Sequence, residues 1–223
     1  MRNNITHPFA YGRLPIAREG LPFVAGSLAL TLLALLTHFQ VLAGFFAILM
    51  CFILYFFRDP ERPLPVEQNA LVAPADGTVL EIEKLGPSQS PLEVETIKVS
   101  IFMSLFNVHV NRSPAEGIVE NIAYEPGRFL SANLDKASAL NEKNRIFLHN
   151  PSVGRIVLIQ IAGLIARRIV CWISKGQRLS KGQRVGLIRF GSRVEVFLPS
   201  VCKIVVEAGQ KVRAGQSIIG YTP

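Results

Sequence analysis

The chain contains little cysteine, with three residues in 223, at Cys51, Cys171 and Cys202. None of them lies in a Cys-x-x-Cys pair or at a Cys and His spacing typical of a metal site. This pattern excludes a disulfide framework, gives no sign of a metal site and predicts a reducing compartment.

Charge is missing from residues 21–57, where 37 consecutive positions carry no Asp, Glu, Lys or Arg. A single helix of this length would extend about 55 Å, well beyond the roughly 30 Å hydrocarbon core of a bilayer. The polar letters THFQ, at 37–40, interrupt the run near its middle. We therefore predict a basic N-terminal segment, 1–20, followed by a membrane-associated helical hairpin over 21–57.

Basic residues flank this apolar run on both sides, with Arg2, Arg13 and Arg18 before it and Arg58 and Arg62 after it. The positive-inside rule then places both ends of the hairpin in the cytoplasm. A single tilted span and a shallow hairpin that does not cross the bilayer are the alternatives. A cleaved signal peptide is excluded, because the run is too long and no small-residue cleavage site follows it.

The rest of the chain has few helix signals. After a proline-rich linker over 58–70, residues 71–223 contain short β-branched runs, several of which alternate apolar and polar residues. Such runs predict strands. Only residues 131–145 predict a helix or an ordered loop.

Gly-Gln pairs form an internal repeat near the C-terminus. The pairs at 176–177 and 182–183 recur at 209–210 and 215–216. No strand–turn–helix pattern surrounds these glycines, so they are interpreted as turn residues and not as a phosphate-binding loop. We predict a mainly β domain, a flattened barrel-sandwich of two hammerhead halves similar to the biotinyl/lipoyl-type barrel.

Candidate reactive residues are few. His109 lies beside Arg112 in FMSLFNVHVNRSPAEG, where the simpler interpretation is a core histidine, and Asp76 lies in APADGTV, where Asp-Gly is typical of a turn. Ser192 follows Gly191 without a G-x-S-x-G motif, which excludes a hydrolase serine of that type. These residues alone predict a membrane-anchored β domain without a defined activity.

Five stretches, taken in order, carry more information: FFRDPERPLP, VAPADGTV, FMSLFNVHVNRSPAEG, GRFLSANLDKASALNEKN and RFGSRVEVFLP. Together they resemble the short, bacterial and archaeal form of phosphatidylserine decarboxylase over residues 50–223. The succession of VHVNRSP and FGSRV is the most specific part of the resemblance.

The resemblance implies that Ser192 becomes a pyruvoyl group, the cofactor of this family. The Ser192 hydroxyl would attack the Gly191 carbonyl, and elimination would leave a β chain, 1–191, and an α chain, 192–223, that stay associated. Glycine suits the cleaved position because it leaves the carbonyl uncrowded and tolerates unusual backbone angles.

The family's maturation apparatus is an Asp-His-Ser arrangement, which implies that Asp76 orients His109 and that His109 activates Ser192. Longer family members carry a second histidine where this chain has Arg112. We therefore assign both maturation and catalysis to His109. Arg112 is instead a candidate for binding the substrate phosphate or carboxylate, which its planar guanidinium matches.

The implied reaction converts phosphatidylserine to phosphatidylethanolamine and CO₂ through a Schiff base with the pyruvoyl ketone, without a metal. The excess of 24 Lys and Arg over 16 Asp and Glu suits an anionic bilayer at the cytoplasmic face of the cell membrane. Nucleic acid is not an expected partner, and a homo-oligomer is left open. The alternative functions are a membrane-anchored lipoyl-like carrier or membrane-fusion protein without catalysis, and a pyruvoyl decarboxylase that acts on another headgroup.

Overall fold

A computed structural model describes residues 15–131, 140–164, 168–189 and 191–223. The chain divides into two compact units, Met1–Glu61 and Arg62–Pro223. Most of the predicted helix or loop at 131–145 lies outside the described residues, and its last three residues belong to a strand.

The first unit is a helical hairpin, as the sequence predicts. A 3-10 turn, Arg18–Gly20, leads into α1 (Leu21–Leu36), and α2 (Gln40–Phe56) packs against it. His38 forms the bend in the left-handed region, with φ of 62°. The two outer ends meet, because the Asp59 amide donates to the Pro15 carbonyl at 2.7 Å.

One helical segment among the described residues, Arg18–Leu36, is long and apolar enough to cross a bilayer. The second helix, Gln40–Phe56, is apolar but shorter. By length and composition this favours membrane association of the first unit. Which face the ends of the hairpin occupy stays a prediction.

The second unit is mainly β, which confirms the predicted class. Its strands are β1 (Ala70–Val72), β2 (Gly77–Leu85), β3 (Thr96–Met103), β4 (Val110–Arg112), β5 (Gly117–Glu125), β6 (Lys143–Asn150), β7 (Gly154–Ala162), β8 (Ile169–Cys171), β9 (Arg178–Leu179), β10 (Arg184–Ile188), β11 (Ser192–Pro199), β12 (Lys203–Ile204), β13 (Lys211–Val212) and β14 (Ile218–Tyr221). A short 3-10 turn, Pro87–Gln89, lies between β2 and β3.

Among the described residues these strands form one large and two small sheets. The large sheet has the order β13-β2-β3-β11-β7-β6-β5-β9, and every neighbouring pair is antiparallel. The small sheets have the orders β1-β14-β12 and β4-β10-β8. Alternating apolar residues of the large sheet face a hydrophobic core, to which Val194, Val196 and Leu198 of β11 contribute.

The domain contains two halves that repeat each other. APADGTV, 73–79, and SPAEGIV, 113–119, each lead into a long strand of the large sheet. The two segments are also joined reciprocally: the Val72 amide donates to the Pro114 carbonyl at 2.9 Å, and the Arg112 amide donates to the Pro74 carbonyl at 2.8 Å. The matching three-stranded sheets, β1-β14-β12 and β4-β10-β8, follow from this repeat.

The Gly-Gln pairs form the turns that the sequence predicts. Their glycines, Gly176, Gly182, Gly209 and Gly215, have φ between 72° and 87°, which only glycine adopts without strain. In each turn the backbone N–H of the glutamine donates to the backbone carbonyl three residues earlier, at 3.1 or 3.2 Å. The likeness of this double structure to a biotinyl/lipoyl-type barrel stays a prediction.

Strand β11 is buried on both of its faces. The face opposite the core carries Arg193, which is 1% exposed and forms ion pairs with Glu81 of β2 and Glu195. Lys98 of β3 lies 3.1 Å from Glu81. Burial alone would raise the pKa of Glu81, but the hydrogen bond and charge of Lys98 and the charge of Arg193 lower it below its ordinary value.

This lowered pKa predicts a pH-dependent contribution of Glu81 to stability. A carboxyl with a lowered folded-state pKa stabilises the protein fully above its ordinary value of 4.5 and loses this contribution as pH falls through the lowered pKa. Glu81→Gln should therefore lower Tm at pH 7, and the difference from wild type should shrink below pH 4.5. Thermal unfolding across pH tests this, with Glu207→Gln, an exposed carboxylate, as control. A difference that stays constant with pH would contradict it.

Candidate active site

Ser192 is the first residue of β11 and is fully buried. It lies between Met103, the last residue of β3, and Ala162, the last residue of β7. The Ser192 hydroxyl donates to Met103 Sδ at 3.3 Å. A thioether is a weak acceptor, so the hydrogen bond that this buried hydroxyl makes among the described residues is weaker than buried polar groups usually make.

Gly191 precedes β11 with φ of 69°, in the left-handed region that disfavours other residues. A Cβ at this position would meet no atom within 4 Å, so the backbone angle and not crowding requires glycine. Gly191 lies between β10, which belongs to a small sheet, and β11, which belongs to the large sheet. The Gly-Ser pair in the strand pattern thus marks a passage between two sheets.

His109 faces this passage and is 2% exposed. Its Nδ1 lies 3.0 Å from the Asn107 carbonyl oxygen, which only accepts hydrogen bonds. Nδ1 therefore carries the proton, and Nε2 is left with a lone pair. The Gly191 amide donates to this Nε2 at 3.4 Å. The structure thus brings the His109 imidazole to the Gly191 amide, one residue before Ser192, and its predicted role as a base stays a prediction.

The turn Ser104–Leu105–Phe106–Asn107 holds His109 in this orientation. The Asn107 amide donates to the Ser104 carbonyl at 3.0 Å. The Ser104 amide and hydroxyl both donate to Asn107 Oδ1, at 2.8 Å. Sequence reasoning missed this turn, although Ser and Asn three residues apart are typical of local side-chain to backbone bonding.

Asp76 lies in a buried ion pair with Arg62. Asp76 Oδ1 and Oδ2 accept from Arg62 Nη1 and Nη2 at 2.5 and 2.7 Å, and Oδ1 also accepts from the Ala214 amide at 2.8 Å. Asp76 directly precedes β2, and Ser192 begins β11. Strand β3 lies between β2 and β11, so the backbones of these two strands are about 10 Å apart. The structure brings Asp76 to Arg62, and the orienting role of Asp76 toward His109 stays a prediction.

The Arg112 side chain lies on the face of β4 that is turned away from Ser192. The preceding residue, Asn111, contacts Met103, and side chains alternate along a strand. Arg112 Nη1 donates to the Gly182 carbonyl at 3.1 Å, in one of the Gly-Gln turns. The structure therefore places Arg112 against a turn of the fold, and its predicted contact with substrate stays a prediction.

A chain of buried amides reaches the site from the large sheet, and sequence reasoning missed it. Asn144 Nδ2 donates to Gln160 Oε1 at 3.0 Å, and Gln160 Nε2 donates to Asn111 Oδ1 at 2.8 Å. Asn111 Nδ2 then donates to Met103 Sδ at 3.5 Å. The sequence gives no signal for this row of hydrogen-bonded amides, because its members come from three strands that are distant in sequence, β6, β7 and β4.

The ion pair of Asp76 predicts a structural effect of its removal. Asp76→Asn would leave the buried guanidinium of Arg62 opposite a neutral group and should reduce the free energy of unfolding by about 3–5 kcal/mol. Urea unfolding in detergent measures this. Glu116→Gln is the matched control, because Glu116 takes the same place in SPAEGIV but is exposed. An Asp76→Asn chain of wild-type stability would contradict the structural role.

The comparisons with known proteins agree with the sequence motifs. The family model for phosphatidylserine decarboxylase matches residues 49–220. A protein named phosphatidylserine decarboxylase proenzyme from Desulfotalea psychrophila is 47% identical over 208 residues, which cover 93% of this chain and 97% of the relative. Relatives of the same name from Syntrophus aciditrophicus and Geotalea daltonii are 49% identical over 209 residues and 44% identical over 223 residues.

These alignments cover 92% of this chain and 96% of the relative from Syntrophus aciditrophicus, and the whole of both chains for Geotalea daltonii. The resemblance predicted from the sequence is therefore confirmed. This chain belongs to the phosphatidylserine decarboxylase family, a family of enzymes.

Proposed function

We propose that this chain cleaves itself between Gly191 and Ser192 and that the resulting pyruvoyl enzyme decarboxylates phosphatidylserine to phosphatidylethanolamine and CO₂. The family supports the decarboxylation. The observation that supports the cleavage is the contact between the Gly191 amide and His109 Nε2, at 3.4 Å, next to the buried Ser192 hydroxyl, whose hydrogen bond goes to a thioether.

Self-cleavage uses groups of this chain and one water molecule. Ser192 Oγ attacks the Gly191 carbonyl carbon, His109 Nε2 takes the hydroxyl proton and returns it to the amide nitrogen as that nitrogen leaves, which converts the peptide bond to an ester. His109 Nε2, unprotonated again, then takes the Ser192 Cα proton, and the Cβ–Oγ bond breaks. Oγ departs in the new Gly191 carboxylate, and water replaces the nitrogen of the remaining dehydroalanine as ammonia leaves.

The residues around Ser192 fit the pyruvoyl group that this sequence of steps would form. Ser192 is fully buried, with Met103 and Ala162 beside it, so the methyl of the group would meet apolar neighbours. Such a ketone supplies an electron sink for a substrate amine. We assign to His109 Nε2 the proton transfers of this second reaction as well, since it is the imidazole at the site.

The two daughter chains would stay together through the large sheet. The α chain, 192–223, contains β11, which pairs with β3 over eight residues and with β7 over six. Its strands β13 and β14 pair with β2 and β1 of the β chain. Cleavage at residue 191 therefore leaves every one of these strand pairs unchanged.

The lipid substrate accounts for the first unit and for the charge. A substrate with two acyl chains stays in the bilayer, and the apolar hairpin α1–α2 would hold the enzyme there. The excess of 24 Lys and Arg over 16 Asp and Glu favours an anionic surface. We therefore place the enzyme at the cytoplasmic face of the cell membrane, with phosphatidylserine as its substrate.

Intact-mass analysis of the purified protein tests the cleavage. We expect two chains, 1–191 and 192–223, with the smaller chain lighter by one ammonia than a chain that begins with serine. Ser192→Ala should stay whole and should be inactive on phosphatidylserine vesicles, because it has no hydroxyl to attack Gly191. An active protein that remains one chain would rule out the proposal.

Replacement of His109 tests the assignment of the base. His109→Gln keeps a side chain that bonds to the Gly191 amide but does not take up a proton, so self-cleavage should slow by about 10²–10⁴-fold. Gel electrophoresis of pulse-labelled chain measures the rate. His149→Gln, at an exposed histidine of β6, is the control. Cleavage of His109→Gln at the wild-type rate would show that another group is the base.

A further inference from the structure

The Ser192 hydroxyl has an unusual partner for a group that must react. Among the described residues, its hydrogen bond goes to Met103 Sδ, at 3.3 Å. Both side chains are fully buried. A buried hydroxyl normally finds a carbonyl, a carboxylate or an amide, each a stronger acceptor than a thioether.

The sulfur itself is held in place. Asn111 Nδ2 donates to Met103 Sδ at 3.5 Å, and Asn111 Oδ1 accepts from Gln160 at 2.8 Å. Because Gln160 occupies the oxygen of this amide, the NH₂ group of Asn111 is turned to the sulfur. Methionine is otherwise a flexible side chain, and this contact fixes where its sulfur lies relative to Ser192.

Self-cleavage changes what residue 192 presents to that sulfur. Oγ leaves with Gly191 as part of the new carboxylate, and the carbon that carried it, Cβ, becomes a methyl group. A hydrogen-bond donor is thereby replaced by an apolar group in the same buried place. If residue 103 had a strong acceptor, that acceptor would have no donor after cleavage. A buried acceptor without a partner lowers the stability of the folded protein.

A thioether avoids this conflict. It positions the hydroxyl through one weak hydrogen bond, and its polarisable sulfur also packs against apolar groups. We propose that Met103 is a positioning residue for self-cleavage, which holds the Ser192 hydroxyl before the reaction and packs against the methyl group afterwards. This inference rests on the proposed self-cleavage.

The experiment compares two substitutions of Met103 in the full chain. Met103→Leu keeps the volume and removes the acceptor, so pulse-labelled precursor should cleave about two- to fivefold more slowly, the effect of one weak hydrogen bond on a rate. Met103→Gln restores an acceptor and should cleave faster than Met103→Leu. After cleavage its amide faces the methyl, so the processed Met103→Gln enzyme should melt about 3–10 °C below processed Met103→Leu.

Leu198→Met is the matched control. Leu198 is fully buried at the other end of β11, and the substitution exchanges the same two residue types in the opposite direction. It should leave the cleavage rate unchanged. A purely structural role of Met103 would instead give equal cleavage rates for Met103→Leu and Met103→Gln.

The outcomes separate this inference from the proposed function. Suppose that wild type cleaves itself. If Met103→Leu then cleaves at the wild-type rate, or if Met103→Gln cleaves no faster than Met103→Leu, the proposed role of Met103 is wrong and the self-cleavage stands. If wild type is active as one unbroken chain, the proposed cleavage fails and this inference fails with it. Slower cleavage of Met103→Leu with recovery in Met103→Gln supports both.

Discussion

Strand β11 is hydrogen-bonded on both sides, to β3 and to β7, and its first residue is Ser192. A residue in that place has its backbone fixed by two neighbours, which is an unusual setting for the proposed cleavage. The same pairing would let the domain tolerate a cut there. The strand is held by its lateral hydrogen bonds and by its buried side chains, and neither depends on the peptide bond that precedes it.

Uncharged acceptors contact the side chains of the candidate site. The carbonyl of Asn107 sets the tautomer of His109, and the sulfur of Met103 holds the hydroxyl of Ser192. The nearby charges are paired elsewhere, Asp76 with Arg62 and Arg193 with Glu81. Because buried charges need partners, these pairs satisfy the charges in the turns and strands around the site.

The repeated halves share a backbone plan around the candidate site. In one half the Thr222 amide donates to the Asn69 carbonyl, at 2.9 Å, and in the other the Ile188 amide donates to the His109 carbonyl, at 3.3 Å. The two acceptors are equivalent in the backbone, but their side chains differ: an amide at Asn69 and an imidazole at His109. A positive φ at the passage from β10 to β11 then directs the Gly191 amide to that imidazole.

The sequence by itself determined the hairpin, the strands, the Gly-Gln turns and the family, because these depend on local hydropathy, glycine conformation and ordered motifs. It also named Gly191, Ser192 and His109 as candidates, and the structure brings the first and the last of these into contact. The partners of these residues were decided only by tertiary structure. Asp76 contacts Arg62, Arg112 faces a turn, and Met103 meets Ser192, since strand order and side-chain direction bring together residues that are distant in the chain.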